Sequence, residues 1–421
     1  MTGELALLGG TPVISEPGPH FSWPPLDDGT DRRVLAQLQR SISIYNRSGV
    51  IAELETALED YFGVRHAVLT SSGTAALHSA YVAAGVGPGD EVIVPAYTFL
   101  ATVTPLLHLG AIPVLADSDD TGNLSVADVA ARITPKTVAI MATHLWGIPA
   151  DIAGLRALAD EHNLLLLEDG SHAHGAAVAG RKVGSVGDIA AFSLNGPKPL
   201  SAGEGGFVLT NSDEVYYRIL MHGHYNKRCK SEIPPSHPLH RYAVTGMGLK
   251  FRIHPLAAVI SLGQLERLDS YLIGRAEIAG ILGEELADVE GLRTPHVTEE
   301  TLAAWYGYPI IYSVDELGGL PIEKFFEALQ AEGLLDVDRP GSTCPLNLLP
   351  LFQDPRPLFP HHPYVGQISY RPGQFPVAER LHANTLKLPV WHRERDISLA
   401  QKYAAGFRKV VGFHHELKGQ A

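Results

Sequence analysis

Three short segments carry residues that could do chemistry together. The first is "AAFSLNGPKPLSAGEGGFVLT", Ala190 to Thr210, with one lysine, Lys198, between two prolines and a run of small residues after it. An ammonium group is costly to bury as a charge. It becomes useful where its pKa is lowered or where it bonds covalently to a carbonyl carbon. Ser193 stands five residues earlier, and Gly203, Gly205 and Gly206 let the chain turn sharply back. The second segment is "EDGSHAHGA", Glu168 to Ala176, where a wholly apolar run ends in two acids. Asp169 is placed to hold a cation or a protonated ring nitrogen. The third is "SSGTAALHSA", Ser71 to Ala80, where Gly73 allows close backbone approach and Thr74 adds a hydroxyl at a helix start. Exposed N–H groups at such a start suit a phosphate.

Each segment alone has a plainer explanation: a loop lysine on the surface, a capping aspartate, an ordinary Ser/Thr N-cap. His172 and His174 also raise a metal, as H-x-H, but zinc wants a third and fourth ligand of clear origin. The other histidine-bearing pieces are scattered, and no metal is expected. Together the three segments amount to more. A phosphate cradle, a strand-end acid and a later amine are what pyridoxal 5′-phosphate requires: an anion site, a partner for its pyridine nitrogen and an amine to bind its aldehyde.

These residues need elements to position them. Short runs rich in Val, Ile and Leu ("HAVLT", "DEVIVP", "IPVLAD", "TVAIMATHL", "NLLLLED", "DIAAFSL", "GGFVLT") alternate with helical patterns. Several are apolar at consecutive positions, as in strands covered on both faces. The pattern predicts an α/β fold with a mostly parallel seven-stranded sheet between helices. Ligands then bind beyond the carboxyl ends of the strands, where all three segments lie. Past Leu268 come a long helix ("YLIGRAEIAGILGEELADV"), a strand ("AAWYGYPIIYSV") and two further helices, which predict a smaller α+β domain. The expected division is 1–265, a large domain with an N-terminal arm, and 266–421, a small C-terminal domain.

Composition narrows the function. The chain has 421 residues and a formal charge of −13, which argues against a phosphate-backbone binder. Its two cysteines imply no disulfide framework, and the N-terminus lacks the basic start of a signal peptide. No apolar run approaches a membrane helix. A cytoplasmic protein that binds neither nucleic acid nor membrane is expected.

The chain resembles the DegT/StrS family of fold-type I sugar and aminocyclitol aminotransferases. The resemblance rests on "TSSGTAALHSA", "GDEVIVPAYTFLATVTPLLHLGAIPVLAD", "HLWGIPADI", "LLEDGSHAHGA", "GDIAAFSLNGPKPLSAGEGG" and "FPVAERLHANTLKLPV". It implies that Lys198 binds the cofactor aldehyde and Asp169 pairs with the pyridine nitrogen. Gly73, Thr74 and Ser193 would bind the phosphate, Phe99 would stack on the ring, and His172 would lie near the ring's 3′-oxygen. It also implies a homodimer with shared active sites. The family's "GxNxR" segment, whose asparagine crosses to the partner's phosphate, reads "GLKFR" here, so Lys250 takes that place. "LALLGGTPV", "FSWPP" and "EDGSHAHGA" resemble the aminocyclitol branch, which aminates scyllo-inosose-type ketones in aminoglycoside-like biosynthesis with glutamine or glutamate as donor. Nucleotide-linked keto sugars are the alternative, and a non-catalytic cofactor-binding regulator a further one. Lys198 argues against the dehydratases of the family, and two cysteines cannot hold the iron–sulfur cluster of others. Arg181, Arg252, His222, His224 and Tyr225 are polar candidates for substrate contact, and residues 355–375 are either a lid or a surface loop.

Overall fold

All seven apolar runs are strands of one sheet in the computed structural model, which describes residues 4–418. They are β1 (His66–Thr70), β2 (Glu91–Pro95), β3 (Ile112–Ala116), β4 (Thr137–Thr143), β5 (Leu165–Asp169), β6 (Ile189–Ser193) and β7 (Gly206–Thr210). Their order is β1-β7-β6-β5-β4-β2-β3, with β7 antiparallel to both neighbours and the other pairs parallel. The central strands are buried on both faces, which is why their sequences do not alternate.

Helix α1 (Asp28–Arg40) precedes the sheet, and α2 (Gly49–Phe62) ends at Gly63, whose left-handed φ of 66° closes the helix as the sequence predicts. Helix α3 (Gly73–Ala83) starts directly from β1 and is capped by Ser72, whose Oγ accepts from the Ala75 N–H at 3.1 Å. Two core clusters flank the sheet, one around Val68, Leu167 and Tyr81 and one around Phe192, Phe207 and Leu54.

A third large core lies in the C-terminal part. It joins α4 (Leu268–Leu286), the strand β8 (Tyr308–Tyr312), α5 (Ile322–Ala331), the strand β9 (Thr385–Leu388) and α6 (Ile397–Gly412). Leu5 and Ile14 of the N-terminal stretch belong to this core, and α4 enters two cores: Leu268 and Leu272 face the sheet, Ile278 and Leu282 the C-terminal cluster. The strand predicted across "AAWYGYPIIYSV" is shorter than its pattern. Residues 304–307 instead form a turn in which Trp305 has a φ of 49°. The turn is bonded to the "HLWG" segment by Ala304 N–H to Gly147 O at 2.8 Å and Gly307 N–H to Trp146 O at 3.2 Å.

Residues 355–375 cover an edge of the sheet. The Tyr370 hydroxyl donates to Pro113 O at 2.8 Å and accepts from the Leu115 N–H at 3.0 Å, satisfying main-chain groups of edge strand β3. None of these residues lines the main cavity.

Candidate active site

A cavity of about 370 Å³ opens at the carboxyl ends of β1, β4, β5 and β6. Gly73, Thr74, Phe99, Asp169, His172, Ser193 and Lys198 all line it. Residues separated by more than a hundred positions meet there because parallel strands end on one side of the sheet.

The strand-end acids divide their work. Glu168 is fully buried and turned away, accepting from the N–H groups of Gly184 at 2.8 Å, Val186 at 3.0 Å and Gly187 at 2.6 Å. His144 Nε2 lies 3.2 Å from its carboxylate, while His144 Nδ1 accepts the Ala150 N–H at 3.1 Å. That second bond assigns the ring proton to Nε2, which therefore donates to Glu168. Glu168 thus secures the turn behind the site. Asp169 faces the cavity. Thr102 Oγ1 donates to its Oδ2 at 2.8 Å and the Ser171 N–H to its Oδ1 at 3.1 Å. Thr98, 2.8 Å from Thr102, completes the chain of hydroxyls. The carboxylate is oriented from behind and keeps free lone pairs for a cationic partner.

Gly73 is required by proximity. A Cβ there would lie 2.5 Å from Ser193 Cβ and 3.0 Å from its Oγ. The start of α3 is therefore pressed against the Ser193 side chain, and a larger residue would force the two apart. Gly206 has the same character, since a Cβ would meet Ser72 O at 2.5 Å. Helix N–H groups at Gly73 and Thr74 and the Ser193 hydroxyl stand close together, donors of the kind that can meet an anion.

Lys198 sits in the loop between β6 and β7. That loop is tied by Ala202 N–H to Leu194 O at 2.8 Å, Gly196 N–H to Gly203 O at 3.0 Å and Lys198 N–H to Asn195 O at 2.9 Å. Loss of hydration lowers the Lys198 pKa to about 8, against the pull of Asp169; Lys387 pushes it further down. Its Nζ lies 4.6 Å from the centroid of the Tyr306 ring. His172 stacks on that ring at 4.1 Å and 12°, with Trp146 behind it at 5.8 Å. Burial, with Lys198, Lys387 and His174, holds the His172 pKa well below the usual imidazole range, so the ring is neutral.

Tyr306, Thr102, Ser72 and Asn195 escaped the sequence reading. Tyr306 comes from the C-terminal part, and no local motif marks it. Thr102 follows "PAYTF" closely and carries a legible hydroxyl, but its aim at Asp169 depends on the fold. Phe99 ends a short strand, Tyr97–Phe99, paired with Thr343–Pro345, and is 42% exposed. His174 lies fully buried beside Phe192 and Phe207, outside the cavity lining. Among the described residues no three His, Cys, Asp or Glu side chains are grouped as metal ligands.

Lys250 lies elsewhere. It lines a separate exposed cleft with Tyr45, Tyr225, Lys227 and Arg252, in which Lys227 and Arg252 lie 5.2 Å and 4.9 Å from the Tyr45 ring centroid. Arg181 is exposed on a hairpin, and His222 is buried with Nδ1 3.0 Å from Ser79 Oγ. His224 is also buried. None of these lines the main cavity.

The residues present fit pyridoxal phosphate. The helix start pressed against Ser193 suits its phosphate, the braced Asp169 its ring nitrogen, and the largely desolvated Lys198 amine its aldehyde.

Comparison with known proteins agrees. The model of the DegT/DnrJ/EryC1/StrS aminotransferase family matches residues 27–400. An L-glutamine:2-deoxy-scyllo-inosose aminotransferase of Streptoalloteichus tenebrarius is 36% identical over 431 aligned residues, covering 99% of this chain and 100% of the relative. A GDP-perosamine synthase of Caulobacter vibrioides is 40% identical over 273 residues, 64% of this chain and 71% of the relative. Among solved structures, DesI in the presence of its TDP-sugar product superposes with a TM-score of 0.79 at 29% identity, covering 99% of this chain and 98% of that one.

Proposed function

From the premise that this chain belongs to the DegT/DnrJ/EryC1/StrS aminotransferase family and is a pyridoxal-phosphate-dependent transferase, we propose that its amino acceptor is a keto cyclitol of the scyllo-inosose type and its donor glutamine or glutamate. The observation that carries the reading is the lining of the cavity. Beside the cofactor residues it offers hydroxyl and amide groups (Ser342, Thr343, Asn195) and one carboxylate, Glu204, and among the described residues Lys198 is the only lysine or arginine that lines it. A neutral polyol ketone finds partners there; a nucleotide diphosphate finds no second cation in the lining among the described residues, and the nearby Lys387 is paired with Asp338 at 3.0 Å. The full-length likeness to a 2-deoxy-scyllo-inosose aminotransferase supports the same choice.

The bound cofactor supplies an electron sink for the carbanion left when a proton leaves the donor's α-carbon. Asp169, held by Thr102 and Ser171, would keep the ring nitrogen protonated. Lys198 would bind the aldehyde carbon and, once displaced by the donor amine, carry the proton between the α-carbon and the cofactor. A pKa near 8 suits both duties, since the amine is readily deprotonated near neutral pH. Gly73, Thr74 and Ser193 would anchor the phosphate, Phe99 would cover one ring face, and neutral His172 would hydrogen-bond the ring's 3′-oxygen. We further propose a homodimer in which the basic cleft of Lys250 serves the partner's site.

The second reading, a nucleotide-linked keto sugar, draws on the GDP-perosamine synthase likeness. Its diphosphate would need the Lys227, Lys250 and Arg252 cleft of the partner. A half-reaction screen separates the two. Protein carrying the aminated cofactor is mixed with 2-deoxy-scyllo-inosose, scyllo-inosose or nucleotide keto sugars, and return of the lysine-bound absorption band is followed. Return with the cyclitol ketones is expected; return with nucleotide sugars alone would overturn the assignment.

A further inference from the structure

Arg275 is among the most buried side chains of the molecule, 2% exposed, yet its hydrogen bonds go to main-chain carbonyls rather than to a carboxylate. Its Nη1 donates to Ala304 O at 3.2 Å and to Trp305 O at 3.1 Å. Its guanidinium lies 4.2 Å from the ring centroid of Trp23. Burial lowers its pKa to about 9, so this cation is held at a cost that core packing alone does not explain. Trp23, from the N-terminal stretch, packs edge-on against Tyr271 at 5.2 Å and His392 at 5.4 Å. Its indole Nε1 donates to the main-chain oxygen of Lys198 at 2.8 Å.

Both ends of this pair reach the site. Trp23 holds the backbone of the lysine. Arg275 holds the 304–306 turn, which carries Tyr306 against His172 and against the lysine's Nζ. That turn has little freedom to find its place unaided, because Trp305 and the facing Trp146 both sit in the left-handed region, at φ 49° and 58°. We propose that Trp23 and Arg275 are positioning residues of the aminotransferase site, a stacked pair that fixes the Lys198 backbone with one member and the Tyr306 turn with the other. The arm before residue 28 thereby becomes part of the active-site framework. The proposal rests on Lys198 being the cofactor-binding amine.

The test uses Trp23→Phe, which keeps an aromatic ring for Arg275 but deletes the N–H donor. Trp23→His restores an N–H, and Arg275→Lys keeps the charge without the two-carbonyl fork. Cofactor-free protein is labelled with trace acetic anhydride across pH, and the extent at Lys198 is read by peptide mass spectrometry against an exposed lysine, Lys136. The wild-type midpoint is expected near 8. Loosening either contact admits water, so the midpoint should rise toward the ordinary lysine value in Trp23→Phe and Arg275→Lys. It should return at least halfway in Trp23→His. In the loaded enzyme kcat should fall about tenfold with the KM for the ketone within about twofold. An unmoved Lys198 midpoint in soluble Trp23→Phe and Arg275→Lys overturns the proposal, whatever their activity. Failure of both variants to give soluble protein also overturns it, because the pair would then hold the fold rather than the site. Failure of the underlying reading is distinct: borohydride treatment of the loaded wild type would leave Lys198 unlabelled.

Discussion

A few side chains in the cavity have their chemistry set by their neighbours. The role proposed for Asp169 depends on its negative charge. Asp169→Asn should lower the rate of the donor half-reaction by about 10²–10³-fold while cofactor retention changes little. Single-turnover absorbance with the parent as control checks this. Thr102→Val removes one of the two bonds that aim the carboxylate. A loss of about tenfold in kcat is expected, the scale of one neutral-to-charged hydrogen bond, and steady-state kinetics reads it. Lys198 carries a pH signature in cofactor-free protein. Its folded pKa, about 8, lies below the free value of 10.5. Between those values the unfolded chain holds a proton that the folded one lacks, so this group's contribution to stability rises with pH. The penalty is complete below about pH 8 and gone above about 10.5. Denaturant titrations at pH 8 and 10, compared with Lys198→Met, should show the parent gaining on the variant as pH rises. Asp169 was visible in the sequence because it ends an apolar run, and Lys198 because it is the one ammonium in a stretch of prolines, glycines and other small residues. Thr102, Tyr306, Trp23 and Arg275 were not, because their use depends on contacts made across the chain. The partner of Trp23, the Lys198 carbonyl, is 175 positions away.

At the element scale, strand ends and the turns after them do the positioning. The seven strands were legible because burial on both faces leaves continuous apolar runs. Their order was not written locally, and neither was the antiparallel sense of β7. The turn at 304–307 shows where periodicity misleads. "AAWYGYPIIYSV" is apolar enough for one long strand, but clamping against "HLWG" converts its first part into a turn. Gly147 is the point of contact, since a Cβ there would lie 2.8 Å from His172 O and from the N atoms of Trp305 and Tyr306. Gly147→Ala should therefore push the two turns apart. A fall in kcat of about tenfold or more, with loss of near-ultraviolet dichroism from Trp146 and Trp305, is the expected result. Residues 355–375, open in the sequence to reading as a lid, instead finish the exposed edge of β3 through Tyr370.

At the scale of the whole molecule, exposed apolar side chains gather in a few stretches. Leu35, Ile42, Tyr45, Phe99, Val244 and Met247 are all exposed large hydrophobics. Phe99 is both a cavity wall and such a surface, which suits a site completed by a second copy. A homodimer is expected by sedimentation velocity at micromolar concentration. Lys250→Ala should leave that dimer intact and weaken cofactor retention about tenfold, since a phosphate would lose one charged partner; gel filtration with absorbance detection reads both. A monomer that retains full activity would count against shared sites. The arm and the C-terminal core are also one unit. Lys409 Nζ donates to Thr11 O at 2.8 Å and to Glu332 at 2.9 Å, joining the N-terminal stretch to α5 and α6. Nothing local in "LALLGGTPV" announces that partnership.

The most direct measurement is reduction of the cofactor-loaded protein with borohydride, followed by peptide mass mapping. The expected product is a single pyridoxyl-modified lysine at position 198. Label on Lys387 or Lys250 instead, or no label at all, would contradict the assignment of the amine and with it the chemistry built around the cavity.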